Sequence, residues 1–190
     1  MPSLPTPETV TILAGGYSAR AFLDRLEGFV IGVNDAGIRA KTDAIISMDR
    51  LWAENRWGEL LALRRPTWLR RHPPLPDGGP DWLQVFACDH TSTTLSLEPG
   101  VLNGTHSGFC ALNLAFHMRP KRLILVGMDM EKGPNGEHHW FPPYPWAPNG
   151  ATTSGKFKVW SDQFQTAFGQ LRASGAKIEI WGKSAIREKP

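Results

Sequence analysis

Residues 103–130, NGTHSGFCALNLAFHMRPKRLILVGMDM, decide the fold. A small-residue loop over 103–108 runs directly into a short amphipathic helix predicted over 108–117. A basic turn follows, then a buried-type strand over 123–126 that ends in Gly127-Met128-Asp129. Loop, helix and strand in this order, with polar groups gathered at the helix start, build an anion site in α/β proteins. The first N–H groups of a helix have no partner within the helix, and the peptide dipoles are positive there.

Outward from this stretch, apolar runs predict strands over 9–14, 29–33, 44–48, 67–70, 83–87 and 177–181. Helical spacing predicts helices over 19–26, 36–41, 52–63 and 159–173. Residues 72–82 and 88–103 read as loops, and 131–154 as a long irregular segment. Alternating strands and helices, with strands that read as continuous apolar runs, predict an α/β fold. The expectation is a single Rossmann-like domain over 1–190. Its sheet is mostly parallel, helices cover both faces, and a lid-like loop spans 131–154. Ligands in such sheets bind at the carboxyl ends of the strands. Gly15-Gly16-Tyr17-Ser18, Asn34-Asp35, Asp49 and Gly127-Met128-Asp129 all fall at such ends.

Composition narrows the function classes. Hydrophobic residues are 41% and charged residues 21%, as in an ordinary globular chain. The net charge of +3 favours an anionic ligand only slightly. The densest basic cluster, Arg64-Arg65 with Arg70-Arg71-His72, reads as solvated helix ends rather than a nucleic-acid stripe. Cys88 and Cys110 form no CxxC pair, which argues against a zinc or redox motif, and Cys110 reads as a small core residue. The first residues lack the pattern of a signal peptide, and no apolar run approaches the ~20 residues of a membrane-spanning helix. A cytoplasmic location is the default expectation.

The candidate residues divide by chemistry. Gly15 and Gly16 let backbone approach a diphosphate, with Ser18 capping the next helix, although glycines at such a turn also occur for steric reasons. The turn matches neither GxGxxG nor a Walker A loop. Asn34 offers a donor and an acceptor to phosphate, ribose or base, and Asp35 an acceptor to ribose hydroxyls. Asp49 and Asp129 are strand-end carboxylates suited to ribose, metal or base chemistry, or to plain turn capping. Thr105, Ser107 and Gly108 make the strongest group: two hydroxyls and free amides for a phosphate. In the long loop, His138 or His139 would serve as a general base, and Tyr144 would bind a leaving phosphate. Trp140 and Trp146 suit stacking on a base or sugar. Adjacent histidines on an extended chain point apart, so one catalytic histidine is preferred to a two-histidine metal site.

Three blocks carry a family resemblance: Val10 through Ser18, Val33-Asn34-Asp35, and Ser107-Gly108 through Met130. Together they resemble phage and prophage proteins sometimes called norphogenetic. The same order of motifs is similar to the compact Rossmann-like bacterial sialyltransferases and to the archaeal-type hydroxymethylpterin diphosphokinase domain. The resemblance to the sialyltransferases implies nucleotide contacts at Gly15, Gly16, Ser18, Asn34, Thr105, Ser107 and Gly108. It also implies a lid that supplies a histidine base and tyrosines. Two positions depart from that pattern, Tyr17 where proline is usual and His106 between the two hydroxyl residues. The resemblance implies a metal-independent glycosyltransferase with no obligatory cofactor. Its donor would be a nucleotide-activated sugar, and its acceptor a glycan or a modified base in phage DNA. The alternatives are an ATP- and magnesium-dependent diphosphokinase using Asp35, Asp49 or Asp129, and a non-catalytic nucleotide-binding accessory protein.

Overall fold

The computed structural model describes residues 4–71, 79–147 and 154–186. Among them, seven strands form one sheet: Thr9–Leu13 (β1), Phe29–Val33 (β2), Ala44–Ser47 (β3), Thr67–Arg70 (β4), Leu83–Phe86 (β5), Arg122–Val126 (β6) and Lys177–Trp181 (β7). Every pairing is parallel, in the order β5-β4-β3-β2-β1-β6-β7. The chain steps outward from β1 to β5, then returns to place β6 on the other side of β1. Four helices accompany the described strands: Asp35–Arg39 (α1), Arg50–Leu63 (α2), Ser107–Met118 (α3) and Ser154–Ala173 (α4).

The central strands β1, β2, β3 and β6 are largely apolar because both faces of the sheet are covered there, while the edge strand β7 carries Lys177 and Glu179 and is only partly buried. Successive side chains point to opposite faces. Val10, Ile12, Ile31, Val33, Leu123 and Leu125 pack with Phe109 and Leu112 of α3 and Phe164 and Phe168 of α4. On the other face, Leu13, Val30, Ile124 and Val126 meet Ala19, Ala36 and Phe141. Further along that face, Ile45 and Leu69 meet Trp52, Ala53 and Leu60 of α2. Thr11, buried in β1, satisfies its hydroxyl by donating to the Glu27 carbonyl at 2.6 Å. Helix α3 is buried on nearly every side, which its run of small and apolar residues permits. Its Asn113 is buried too, accepting from the amides of Ser96 and Asn103 and donating to the Ser96 carbonyl. This one side chain anchors the loop between β5 and α3.

One predicted helix is absent. Residues 19–26 do not form an α-helix; a 3-10 turn, Tyr17–Ala21, stands at the start of this connection. Bonds of the i→i+3 type, Ala19 N to Gly16 O and Phe22 N to Ala19 O, keep it tight. Its start is fixed from outside, because Asp129 accepts from the Ser18 amide at 2.8 Å and the Ser18 hydroxyl at 2.6 Å. Two predicted segments extend beyond the described residues: 72–78 of the 72–82 loop and 148–153 of the 131–154 lid.

The loops leaving β1 and β6 cross closely. Gly16 donates to the Gly127 carbonyl at 2.8 Å, and a Cβ on Gly16 would lie 2.4 Å from that same oxygen. Gly127 itself has φ +70°, and its own Cβ would lie 2.7 Å from the Ala14 carbonyl. Gly16→Ala is therefore expected to cost about 2 kcal/mol through overpacking of backbone on backbone. That corresponds to a fall of about 5 °C in a thermal melt. Gly169→Ala is the control: nothing lies within 4 Å of its Cβ position in α4, and it should raise the melting temperature.

Candidate functional site

The carboxyl ends of β1, β2, β3 and β6 open on a cleft of about 1360 Å³. It lies where the chain reverses its direction across the sheet, the place ligands occupy in open parallel sheets. Gly15, Gly16, Asn34, Asp49, Thr105, Ser107, Gly108, Asp129, His138, His139 and Tyr144 all line it; Ser18 and Asp35 do not.

At one end of the cleft stands the start of α3. The amides of Phe109 and Cys110 both donate to the His106 carbonyl. Ser107 and Gly108 are the first two residues of the helix, so their amides have no carbonyl one turn back to meet. The two-hydroxyl cradle is narrower than the sequence implies. Thr105 directs its proton to Gln163 Oε1 at 2.8 Å. Ser107 accepts from the Met48 amide at 3.0 Å and keeps its own proton for another acceptor. A Cβ on Gly108 would lie 3.0 Å from the tip of Met128 and 3.1 Å from the His106 ring, a tight fit against two side chains that line the cleft. His106 is the N-cap residue but makes no capping bond with its side chain. Its Nε2 is buried without a partner, and burial pulls its pKa down to about 3, so the imidazole is neutral. Arg70, at the end of β4, also lines the cleft and has no carboxylate partner among the described residues. Sequence reasoning placed it in a solvated cluster; only the sheet order brings it here.

Asn34 sits at the end of β2 with φ +52° and ψ −132°, a positive-φ conformation outside the left-handed helical well and strained for any residue with a side chain. Its amide is held by the Ile46 carbonyl at 3.0 Å, yet its side-chain Oδ1 is buried with no partner. A strained residue with an unsatisfied buried acceptor, at the mouth of a cleft, is a candidate ligand contact.

The aspartates have separate roles. Asp35 was expected to reach ribose hydroxyls, but its carboxylate is taken up within the protein. It accepts from Arg56 Nε and Nη2 at 2.9 and 2.8 Å, from Trp52 Nε1 at 2.8 Å and from Arg39 at 2.9 Å. Burial opposes its charge, but these hydrogen bonds outweigh it and hold the carboxyl below its usual range. Asp49 caps α2 by accepting from the Trp52 amide at 3.2 Å while lining the cleft. Asp129 is pushed up by burial, against the hydrogen bonds from Ser18. Ser18 does not cap a helix as expected; its hydroxyl and amide both serve Asp129. Gly15 and Gly16 are accounted for by close packing on His139 and on the Gly127 loop.

Residues 131–147 contain no helix or strand and lie over the end of β1. Trp140 donates from its amide to Gly15 O at 2.9 Å and from its indole to Ala14 O at 3.1 Å. His139 stacks on Phe141 at 4.9 Å, and its Nδ1 is buried without a partner. Burial, with His138 nearby, holds its pKa below the usual histidine value, so it is a neutral base at pH 7. His138 is lowered by burial too, and its ring lies 6.3 Å from that of His139. Tyr144 is pushed well up by burial and remains a hydrogen-bond donor. The lid is also gripped by the Asp35 cluster: Arg39 lies 5.4 Å from the Phe141 ring centre and Arg56 5.0 Å from that of Trp146. Among the described residues, no group of three or more His, Cys, Asp or Glu side chains converges as a metal site, and no helix is long and apolar enough to cross a membrane.

Asp35→Asn is expected to cost about 3 kcal/mol at pH 7, because it leaves two arginines around a neutral side chain. A carboxylate with a depressed pKa contributes stability that is complete above its unfolded value of about 3.9 and fades as the pH falls through its folded value. Urea melts should therefore show the gap between variant and wild type narrowing below about pH 4.

No protein-family model matches the chain, and comparison with curated proteins finds no match either. The functional reading rests on the residues gathered at the cleft.

Proposed function

We propose that the cleft binds a nucleoside phosphate and that the protein is a nucleotide-dependent transferase, a glycosyltransferase using a nucleotide-activated sugar. The observation that carries this reading is the open start of α3 at the reversal point of the sheet, facing a cleft that also holds Arg70 and the unpartnered Asn34 Oδ1. Phosphate oxygens would meet the Ser107 and Gly108 amides, the Ser107 hydroxyl and the Arg70 guanidinium. Asn34 Oδ1 would accept from a ribose hydroxyl.

The chemistry is a direct displacement. The acceptor is a hydroxyl-bearing molecule, a glycan or a modified base in DNA. His139 takes the acceptor's hydroxyl proton as its oxygen attacks the anomeric carbon of the sugar. The bond from that carbon to the phosphate oxygen breaks, and the nucleotide leaves. The donors at α3 stabilise the charge that develops on the leaving phosphate, the kind of fixed electrostatics that supplies most of such barriers' lowering. Tyr144, kept protonated, donates a further hydrogen bond.

A magnesium-dependent diphosphokinase is the weaker reading. It needs carboxylates for the ion, while Asp35 is committed to Arg56 and Arg39, and Asp129 to Ser18. Asp49 lines the cleft and only caps α2, a role that asparagine keeps, so Asp49→Asn should abolish a kinase and leave a glycosyltransferase nearly unchanged.

The assay is nucleotide release from a panel of CMP-, UDP- and GDP-sugars. The wild-type rate should fall on the acid side with a midpoint below about 6.5, because burial lowers His139. His139→Gln should remove that limb and reduce kcat by about 10²–10⁴-fold with little change in donor affinity. An unchanged kcat in the variant would assign the base elsewhere.

A further inference from the structure

One wall of the cleft is made by α4 and the residue before α3, and it meets the lid where the Phe157 ring lies 6.4 Å from that of His138. Trp160 and Phe157 of α4 both line it, with His106. The His106 ring lies 4.6 Å from that of Trp160, tilted by 36°, and is backed by Phe164 at 5.6 Å. Phe157 meets Trp160 edge-on at 5.9 Å. Beside them, Thr105 is bonded to the buried Gln163. The wall is apolar apart from one orphan, the buried Nε2 of His106. A buried imidazole nitrogen without a partner is costly unless something meets it.

We propose that Trp160, Phe157 and His106 form the subsite for the base of the nucleotide, with His106 Nε2 as its polar contact. This inference rests on the nucleotide reading above. Three arguments support the placement. First, His106 immediately precedes Ser107 and Gly108, so the ring wall adjoins the phosphate end, as a nucleoside 5′-phosphate requires.

Second, the tryptophans of the lid are already engaged. Trp140 gives its indole N–H to Ala14, and Trp146 stacks on Tyr144 at 5.0 Å and carries Arg56. Trp160 has His106 tilted over it and Phe157 edge-on, but it is only half-buried and lines the cleft, so a base can stack on the part of the indole that these rings leave uncovered.

Third, His106 is neutral, with a pKa near 3. It recognises a polar edge by hydrogen bonding and adds no charge that would draw the phosphate into the ring subsite. The base then lies against α4 and the phosphate at the start of α3, and the lid meets this wall where His138 approaches Phe157.

Calorimetric titration of CMP, UMP, AMP and GMP against ribose 5-phosphate, which lacks the base, tests the placement. In the wild type at least one nucleotide should bind more tightly than ribose 5-phosphate. Trp160→Ala should weaken that nucleotide about ten- to hundredfold, the range of one base–aromatic stack, and leave ribose 5-phosphate unchanged. That unchanged affinity also shows the variant is folded. Trp160→Phe should restore most of the loss. Equal weakening of nucleotide and ribose 5-phosphate, or no weakening of either, overturns the proposal. If ribose 5-phosphate binds the wild type and no base adds affinity, the ring subsite falls alone. If neither class of ligand binds, the nucleotide reading falls with it.

Discussion

The crossing of the loops that leave β1 and β6 is the constraint on which the site depends. Gly16 and Gly127 meet there backbone to backbone, with one amide bonded across the gap. Because neither carries a side chain, the two loops pass in contact just beyond the sheet, and both line the cleft. Both connections then pack on the same face of the sheet, Ala19 and Phe22 of the first with Phe141 and Trp140 of the second. Asp129 reinforces the crossing from the β6 side by holding the amide and hydroxyl of Ser18. The glycines of the first turn are thus structural before they are functional. They let the two loops pass in contact beside the cleft, while the amides suited to a phosphate come from α3.

A second element, the buried Asp35, organises the opposite wall. One carboxylate gathers Arg39 of its own helix with Arg56 and Trp52 of α2. Those two arginines in turn present their faces to Phe141 and Trp146 of the lid. A single buried charge therefore links α1, α2 and residues 131–147. A buried ion cluster is weak evidence for net stability, because desolvation offsets much of its Coulombic gain. Its value here is geometric: it fixes where the aromatic lid rests, and so where His139 and Tyr144 stand relative to α3.

Much of this was legible in the sequence because burial on both faces imposes continuous apolar strands. β2, β4 and β7 match their predicted bounds, and α3 differs by one residue at each end. The strand-end polar residues converge because a parallel sheet puts all its carboxyl ends on one side. What the sequence concealed was long-range. The helix after β1 gave way to a 3-10 turn because Asp129, more than a hundred positions away, fixes its start. Asp35 reads as a ribose ligand until Arg56 and Trp52 are seen around it. Arg70 reads as one member of a basic cluster, and Trp160 as the apolar face of a helix. Neither could be placed in the cleft without the sheet order and the packing of α4.

The central claim is that the start of α3 is a phosphate site serving a nucleotide without a metal ion. A thermal-shift panel of CMP, UDP, GDP, ADP and ATP, each with and without Mg²⁺, tests it most directly, because a ligand that binds only the folded state raises the melting temperature. The account predicts a shift with one nucleoside mono- or diphosphate that persists without Mg²⁺ and disappears in Arg70→Ala. A shift confined to ATP with Mg²⁺, or none with any nucleotide, would contradict it.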